Sequence, residues 1–544
     1  MSESAAAADE GLDPRRWKAL GVLALGLSMI VLDGTIVSVS LPVIIDDLGL
    51  DFTSAQWVNS VYSVVFAALL LPSGKLGDRI GRRRTFAAGI VVFALGSLVA
   101  AVASSSGALI WGRVVQGVGG ALILPATLSA VNALFRGRER TVAFAVWGSV
   151  IAGMAAVGPL LGGWLTTSFT WPWIFIVNLP VAALVLVGAV VWVPETRAPR
   201  VAGSDGFDLA GVGLSALGFA LVVFALIEGQ SYGWWTPLRD TSLPISPIPV
   251  LLALGLVLLG VFWWYEARQA RTGGAALLDV SLFGSRGFRW GNLTALVVAL
   301  GEFGLLFVLP LYLVNVLGLS TLGAGVVLAL MAVGAFLAGG LTEGLARTMA
   351  PARIVTLGVT MEAVFVALTA LTVTADTAPW LLALLLAGYG LGLGFASAQL
   401  AGAVLAHVRV EQSGQGSAVQ STARQLGSAL GAALIGGLLS VLLAHTLPQK
   451  VESVPGVPET VANQVVDATR QSAGSDIDTL REQGESGPLG AGGPAVVDAL
   501  DDGFAQATRW TMFAAAAFLG LGALASTRIP VTLPARARRE ETVS

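Results

Sequence analysis

Asp33, Arg113 and Glu302 carry charge inside stretches otherwise built of Leu, Val, Ala, Ile and Gly. A charged side chain at the centre of a bilayer costs about 2.5–3.5 kcal/mol on insertion scales, so each one asks for a reason. A carboxyl group supplies one. Burial favours its neutral form and a nearby cation favours its anion, so an acid whose surroundings change takes up a proton in one state and releases it in another. Asp33 has no cation near it in sequence. It reads as a proton-exchanging group, with a permanent ion pair, Arg113 being the candidate partner, as the alternative. Arg113 also reads as a side chain snorkelling to an interface. Glu362, within 352–374, reads as a structural pair or a neutral acid. Glu228, beside Tyr232, Trp234 and Trp235, reads as part of an interfacial aromatic belt. Glu343 and Arg347 are spaced to pair along one helix face.

Other chemistries are excluded by what is missing. With no cysteine there is no disulfide, thiolate nucleophile or cysteine-bound metal. The two histidines, His407 and His445, lie far from other ligand types. No GxxxxGK[ST] pattern occurs, so ATP hydrolysis is not expected. The glycine-dense run from Gly388 to Gly394 lies inside an apolar stretch and reads as helix packing rather than a dinucleotide loop. No cofactor is expected. A net charge of −3 gives no field to attract polyanions, so no nucleic-acid partner is expected either.

The elements that must hold these residues are membrane spans. Charged residues make up 12% of the chain, about half the share of a soluble domain, roughly 25%, and mean hydropathy is +0.79. A span needs about 20 apolar residues. Fourteen stretches qualify: 17–41, 54–76, 84–104, 107–134, 139–167, 172–194, 208–229, 248–268, 287–315, 321–346, 352–374, 379–406, 414–446 and 508–528. The first is too long for a signal-peptide core and contains Asp33, so it reads as a span. Basic residues gather at every second junction, from Arg15, Arg16 and Lys18 through 79–84 and Arg136, Arg138 and Arg140 to Arg528 and Arg536. The short loops on the other side hold Arg239 alone. This alternation supports fourteen spans with both termini cytoplasmic. Residues 195–207 read as a polar linker. Residues 447–507, with ten acidic against three basic residues, read as a long outside loop: a solvated tether, or alternatively a partly ordered cap. A polar helix is expected over 459–482 and flexibility over 483–494. Lysine is scarce while Ala, Gly and Val are abundant, a bias that points to a GC-rich bacterial genome.

The loop between the second and third stretches is the most specific feature: Gly74-Lys-Leu-Gly-Asp78-Arg79-Ile-Gly81-Arg82-Arg83-Arg84. Gly74 and Gly81 allow close packing or positive φ. Asp78 suits a helix N-terminus, and the arginines suit anionic headgroups or a partner acid.

This loop resembles motif A of the major facilitator superfamily nearly position for position. Leu32-Asp33-Gly-Thr35 through Leu41-Pro42 resembles the helix 1 motif of that family's fourteen-helix drug:proton antiporter group. Leu109-Ile-Trp-Gly-Arg113-Val-Val-Gln116-Gly117 resembles motif B. Gly153-Met-Ala-Ala-Val-Gly158-Pro159-Leu-Leu-Gly162-Gly163 resembles motif C, the antiporter signature. Trp173 to Pro180, with Asn178, resembles the helix 6 signature, and Ser413 to Gly427 the helix 13 pattern. The second copy of motif A, Gly340-Leu-Thr-Glu343-Gly-Leu-Ala-Arg347, is degenerate.

The resemblance implies an all-α fold of two six-helix bundles, 1–194 and 287–528, joined by a linker and two inserted helices over 195–286, with a cytoplasmic tail at 529–544. It implies alternating access, with Gly74, Asp78, Arg79, Gly81 and Arg82 as a conformational latch. It implies proton handling by Arg113, and it places Glu302 on the first helix of the second bundle as a second proton or cation site opposite Asp33. The expected activity is proton-coupled export of hydrophobic or cationic drugs from a bacterial cytoplasmic membrane by a monomer, with protons and lipids as its other partners. Asp33, Trp57, Tyr62, Phe66, Asn178 and Glu302 are the cavity candidates. Export of lipids or other amphipaths is the alternative.

Overall fold

The computed structural model describes residues 13–531 except 51, 198–207, 238–244, 273–275, 407, 456, 472–473, 475 and 485–488. Among the described residues the regular elements are helices. Thirteen helical segments are long and apolar enough to cross a membrane. A further helix, α5 (Gly137–Ser168), has 32 residues and is about 48 Å long at 1.5 Å per residue, which exceeds a bilayer core of about 30 Å.

Helices α1 (Arg16–Leu48), α2 (Phe52–Ile80), α3 (Arg82–Ala101), α4 (Ser106–Leu134), α5 and α6 (Asn178–Trp192) pack on one another. Helices α9 (Arg286–Asn315), α10 (Thr321–Leu345), α11 (Pro351–Thr372), α12 (Pro379–Leu405), α13 (Ser413–Val451) and α16 (Gly493–Ser526) do the same. The two sets meet where α5 packs on α10 and α12, and where α13 packs on α2 and α4. Between them in sequence, α7 (Leu209–Tyr232) lies against α2 and α13, and α8 (Pro247–Thr272) lies on α7.

Local chemistry sets the helix ends. Ser105, Asp208, Ser285 and Ser320 each accept a backbone N–H in the first turn of the helix that follows, satisfying a donor with no partner inside the helix. Pro351 and Pro379 open α11 and α12, where a missing N–H costs nothing. Gly49 closes α1 in the left-handed region at φ 58°.

Glycine lets backbones touch where polar residues must meet. A Cβ on Gly96 of α3 would sit 2.6 Å from the backbone N of Gln116 on α4. A Cβ on Gly358 of α11 would sit 2.5 Å from the backbone N of Ala396 on α12. The α3–α4 and α11–α12 crossings are therefore close by sequence, as small-residue packing between membrane helices requires.

Three expectations need correcting. The last span begins its helix at Gly493, not 508, and α13 runs on to Val451, past 446. Each projects beyond the stretch that hydropathy marks. Of the 447–507 loop, α14 (Glu459–Gln471) and α15 (Asp476–Gln483) are ordered into a cap rather than a free tether. Ile477, Val496, Val497, Leu500 and Phe504 are buried within it. The flexible segment expected over 483–494 is in part outside the described residues, and its end forms the start of α16. Finally, Glu228 is not in an interfacial belt. It is buried on α7 and accepts a hydrogen bond from the Ser60 hydroxyl of α2 at 2.7 Å. The side chain of Glu343, and with it the expected pair to Arg347, lies outside the described residues, as does Arg239.

Candidate functional site

The structure gathers Asp33, Arg113 and Asn178 into one buried cage. Asp33 of α1 is 1% exposed, as is Arg113 of α4. One Asp33 oxygen, Oδ2, pairs with the Arg113 guanidinium. The other, Oδ1, accepts from Gln116 Nε2 at 2.8 Å and from Asn178 Nδ2 of α6 at 3.1 Å. The two amides also donate to the Ser97 hydroxyl of α3, at 2.9 and 3.2 Å. Arg113 makes further contacts: Nε donates to the Val58 carbonyl of α2 at 3.2 Å, a terminal nitrogen donates to Gln116 Oε1 at 2.7 Å, and its Cζ lies 4.5 Å from the centre of the Tyr62 ring. Five helices thus meet in the cage, and the carboxylate accepts bonds from two of them, α4 and α6. Arg113 does not snorkel to an interface.

Gln116 and Ser97 carry no charge, so nothing in their type marks them as members of the cage. The available signal is spacing: Arg113 and Gln116 are three residues apart and share a helix face.

The other cavity candidates are placed apart. Trp57, half-buried, stacks on Phe224 of α7 with centroids 5.5 Å apart. Phe66 stacks on Tyr62 at 5.8 Å, and both rings lie against Gly120 of α4. Glu302 of α9 is buried and pairs with Arg424 of α13 at 2.9 Å. The pairs of Asp33 and Glu302 therefore form two separate clusters, one in each helix set.

A second assembly closes the arginine-rich end. Asp78, at the end of α2, accepts the backbone N–H groups of Gly414 and Gln415, at 2.9 and 3.1 Å. Both belong to the first turn of α13, where free N–H groups and the helix dipole favour an anion. Arg82 donates to Asp78 at 3.2 Å and to the Val410 carbonyl at 2.5 Å. Gly81 has φ 115°, a conformation open to glycine, and the carboxylate of Glu195 fills the place of its missing Cβ. Gly74, Asp78, Gly81 and Arg82, four of the residues expected to form a latch, all take part in these contacts: Gly74 packs on the Gly414 backbone and the Ala418 methyl group. Arg79 is exposed beside them. Asn132 of α4 adds a hydrogen bond to the Ser413 hydroxyl at 2.7 Å.

The glycines of α5 form the third element. Gly158 lies on Thr35 and Gly162 on Ile36 of α1, both close in sequence to Asp33. Gly153 faces the ring of Phe336 on α10. Gly163 faces open space. The side chain of Pro159 lies outside the described residues.

The family model of the Major Facilitator Superfamily matches residues 23–432. The puromycin resistance protein pur8 of Streptomyces alboniger is 38% identical over 79% of this chain and 83% of its own length. The probable actinorhodin transporter of Streptomyces coelicolor is 33% identical over 80% and 75%. The multidrug efflux pump LfrA of Mycolicibacterium smegmatis is 31% identical over 85% and 92%. Among solved structures, that of the human organic anion transporter MFSD10 shares the fold, with a TM-score of 0.57 at 16% identity over 94% of this chain and 100% of that one. The chain is a multi-pass membrane protein that belongs to the major facilitator superfamily, and its homology is to multidrug-efflux-type members.

Proposed function

We propose that the protein exports hydrophobic or cationic drugs across the bacterial cytoplasmic membrane in exchange for protons. As a superfamily member it is a secondary transporter, not an enzyme. The observation that carries the coupling is the Asp33 cage, a buried carboxylate whose cation, Arg113, is held independently by Val58, Gln116 and Tyr62. Protonating Asp33 removes its charge while leaving Arg113 with these other partners. The bond from α1 to α4 weakens, and the hydrogen bonds and ring that remain on Arg113 offset part of the several kcal/mol that a buried cation costs without its counter-ion.

The rest of the cycle follows from the contacts. α1 packs through Thr35 and Ile36 on the glycines of α5, and α5 leans on Phe336 of α10. Loosening α1 therefore bears on the seam between the two helix sets. We take these sets as two six-helix bundles, with α7 and α8 inserted, fourteen spans in all and both termini cytoplasmic. In this orientation the Asp78 latch closes the cytoplasmic side, and the structure corresponds to the outward-facing part of the cycle. The names of the relatives, puromycin resistance and multidrug efflux, favour drugs as cargo. Glu302, paired with Arg424, is the second coupling acid.

The test is proton release from purified protein on adding puromycin or ethidium, together with their flux in proteoliposomes under an imposed pH gradient. Asp33→Asn should abolish both while the protein remains folded. Flux and release equal to wild type would overturn the assignment of coupling to Asp33. Wild-type flux that ignores the pH gradient would overturn antiport itself.

A further inference from the structure

Glu362 lies on α11 with no exposed surface, and neither oxygen of its carboxyl group has a hydrogen-bond partner. The site is built by close packing. A Cβ on Gly392 of α12 would sit 2.8 Å from the backbone N of Glu362, so α12 presses directly on the turn that carries the acid. Two groups from neighbouring helices act on it electrostatically, Glu302 of α9 and Arg424 of α13, and the Tyr389 phenol of α12 lies within reach of all three. The face of α16 packed against α11 adds no charge, because residues 510–526 contain none.

The charges in this cluster do not balance. Arg424 can neutralise one carboxylate, and it bonds Glu302. The second Glu302 oxygen, both oxygens of Glu362 and the Tyr389 hydroxyl are left without partners. An ionised carboxylate buried with no donor is among the costliest arrangements in a protein interior, and the group takes up a proton instead. A metal ion is a poor substitute here: among the described residues no group of three or more acidic or imidazole side chains could hold one.

We infer that the second coupled proton, assigned above to Glu302, is shared by the Glu302–Arg424–Glu362 cluster, and that it resides on Glu362 in this conformation. This rests on the antiport reading above. The O–H bond of Glu362 breaks as Arg424 turns from Glu302 to Glu362. The proton passes to the Glu302 carboxylate that Arg424 has left, and from there to water. Arg424 then neutralises the new Glu362 anion, so the net charge of the cluster does not change in the transfer between the two acids. Arg424 is the member that reaches accessible surface, with 22% of its side chain exposed, which places the exit beside Glu302.

Two measurements test this on the full-length protein. In proteoliposomes, the pH gradient that nulls puromycin flux gives the proton-to-drug ratio. Glu362→Gln, which mimics the protonated acid, should transport with one proton fewer per puromycin than wild type. An unchanged ratio, or a change that follows sodium rather than protons, overturns the inference. The second measurement needs no drug to be carried. Infrared difference spectra of protein labelled with carbon-13 at glutamate should show, in wild type but not in Glu362→Gln, a protonated carboxyl band that is lost reversibly as pH is raised. A glutamic acid band that persists at every pH at which the protein stays folded would make Glu362 a permanently neutral structural acid. Wild-type flux indifferent to pH would instead fault the antiport reading, and the infrared titration would still decide whether Glu362 exchanges its proton.

Discussion

The Asp78 carboxylate accepts the backbone N–H of Gly414 at 2.9 Å, joining residues 336 positions apart in the chain. This contact holds α2 to α13 through an anion at a helix N-terminus, and Arg82 completes it from α3. Because Asp78 also takes the N–H of Gln415, each of its two oxygens accepts one backbone bond, and Oδ1 takes Arg82 as well. Asn offers one acceptor and sets an amide donor against the other N–H. Asp78→Asn should therefore weaken closure by about 1–3 kcal/mol, the cost of a lost bond and a stranded buried donor. The chain has no cysteine, so labels at Ile80→Cys and Glu411→Cys report on this end without background. Their distance distribution should be single and short in wild type and should gain a longer component in Asp78→Asn. An unchanged distribution would show that the contact does not hold the two sets together.

Arg113 rests on the face of Tyr62, and the Tyr62 hydroxyl has no hydrogen-bond partner. The ring and the hydroxyl therefore contribute separately. Tyr62→Phe keeps the cation–π contact and should leave drug flux within about twofold of wild type, a change of less than about 0.5 kcal/mol. Tyr62→Leu removes the contact, worth about 2 kcal/mol when desolvated, and should lower flux by more than tenfold. Arg113→Lys should be as damaging, because an ammonium cannot serve Asp33, Val58 and Gln116 from one planar group. Initial rates of puromycin flux at matched protein levels check all three. Equal losses in Tyr62→Phe and Tyr62→Leu would mean that the hydroxyl, not the ring, carries the role.

The sequence marks membrane-embedded charge clearly, because charge there is costly, and so Asp33, Arg113 and Glu302 are legible from residue type. Their partners are less so. Arg424 occurs in a quoted motif, yet nothing in that motif points to Glu302, 122 residues away. Ser97 and Gln116 are neutral and become cage members only because glycines bring α3 and α4 into contact. The order within 447–507, expected as a tether with a cap as the alternative, is hidden for a different reason. Val496, Val497, Leu500 and Phe504 form a helical apolar stripe, but Asp498, Asp501 and Asp502 lie among them and lower the window hydropathy. A scale that averages over a window hides an amphipathic extension of a membrane helix; the 3.6-residue period would have revealed it.

The glycines of the α5 motif make different contacts, and the differences are testable. A Cβ at Gly158 collides with Thr35 and one at Gly162 comes within 2.8 Å of Ile36, while Gly163 faces nothing within 4 Å. Gly158→Ala should cost about 1–3 kcal/mol, as overpacking typically does, and should reduce flux because it pushes the turn below Asp33. Adding Thr35→Ala removes the nearer colliding atom, Oγ1, but leaves Cβ at 2.7 Å, and should recover part of the loss. Gly163→Ala should change little. Thermal unfolding in detergent and flux, measured across the three variants, check the pattern. A Gly163→Ala variant as impaired as Gly158→Ala would show that the motif acts through something other than contact with α1.

The cap is fastened by Arg481 of α15. Its guanidinium bonds the Asp501 carboxylate of α16 at 2.9 Å and the carbonyls of Asn315 and Val316, both at 3.3 Å, at the end of α9. Carbonyls at a helix C-terminus lack partners within the helix and carry partial negative charge, so an arginine satisfies both needs at once. One side chain thus ties the loop to α9, which bears Glu302, and to α16. Arg481→Gln keeps a polar, unbranched side chain but is shorter and loses the charge and the fork. It should detach α15, at a cost of about 1.5–3 kcal/mol for the charge-assisted bonds, with little effect on the membrane helices. Limited proteolysis of the purified protein should then cut within 472–488 several-fold faster than in wild type, while thermal unfolding of the bundle stays close to the wild-type value. If cleavage is no faster, the cap is held by burial of Ile477 and its apolar neighbours, and the Arg481 contacts are incidental to it.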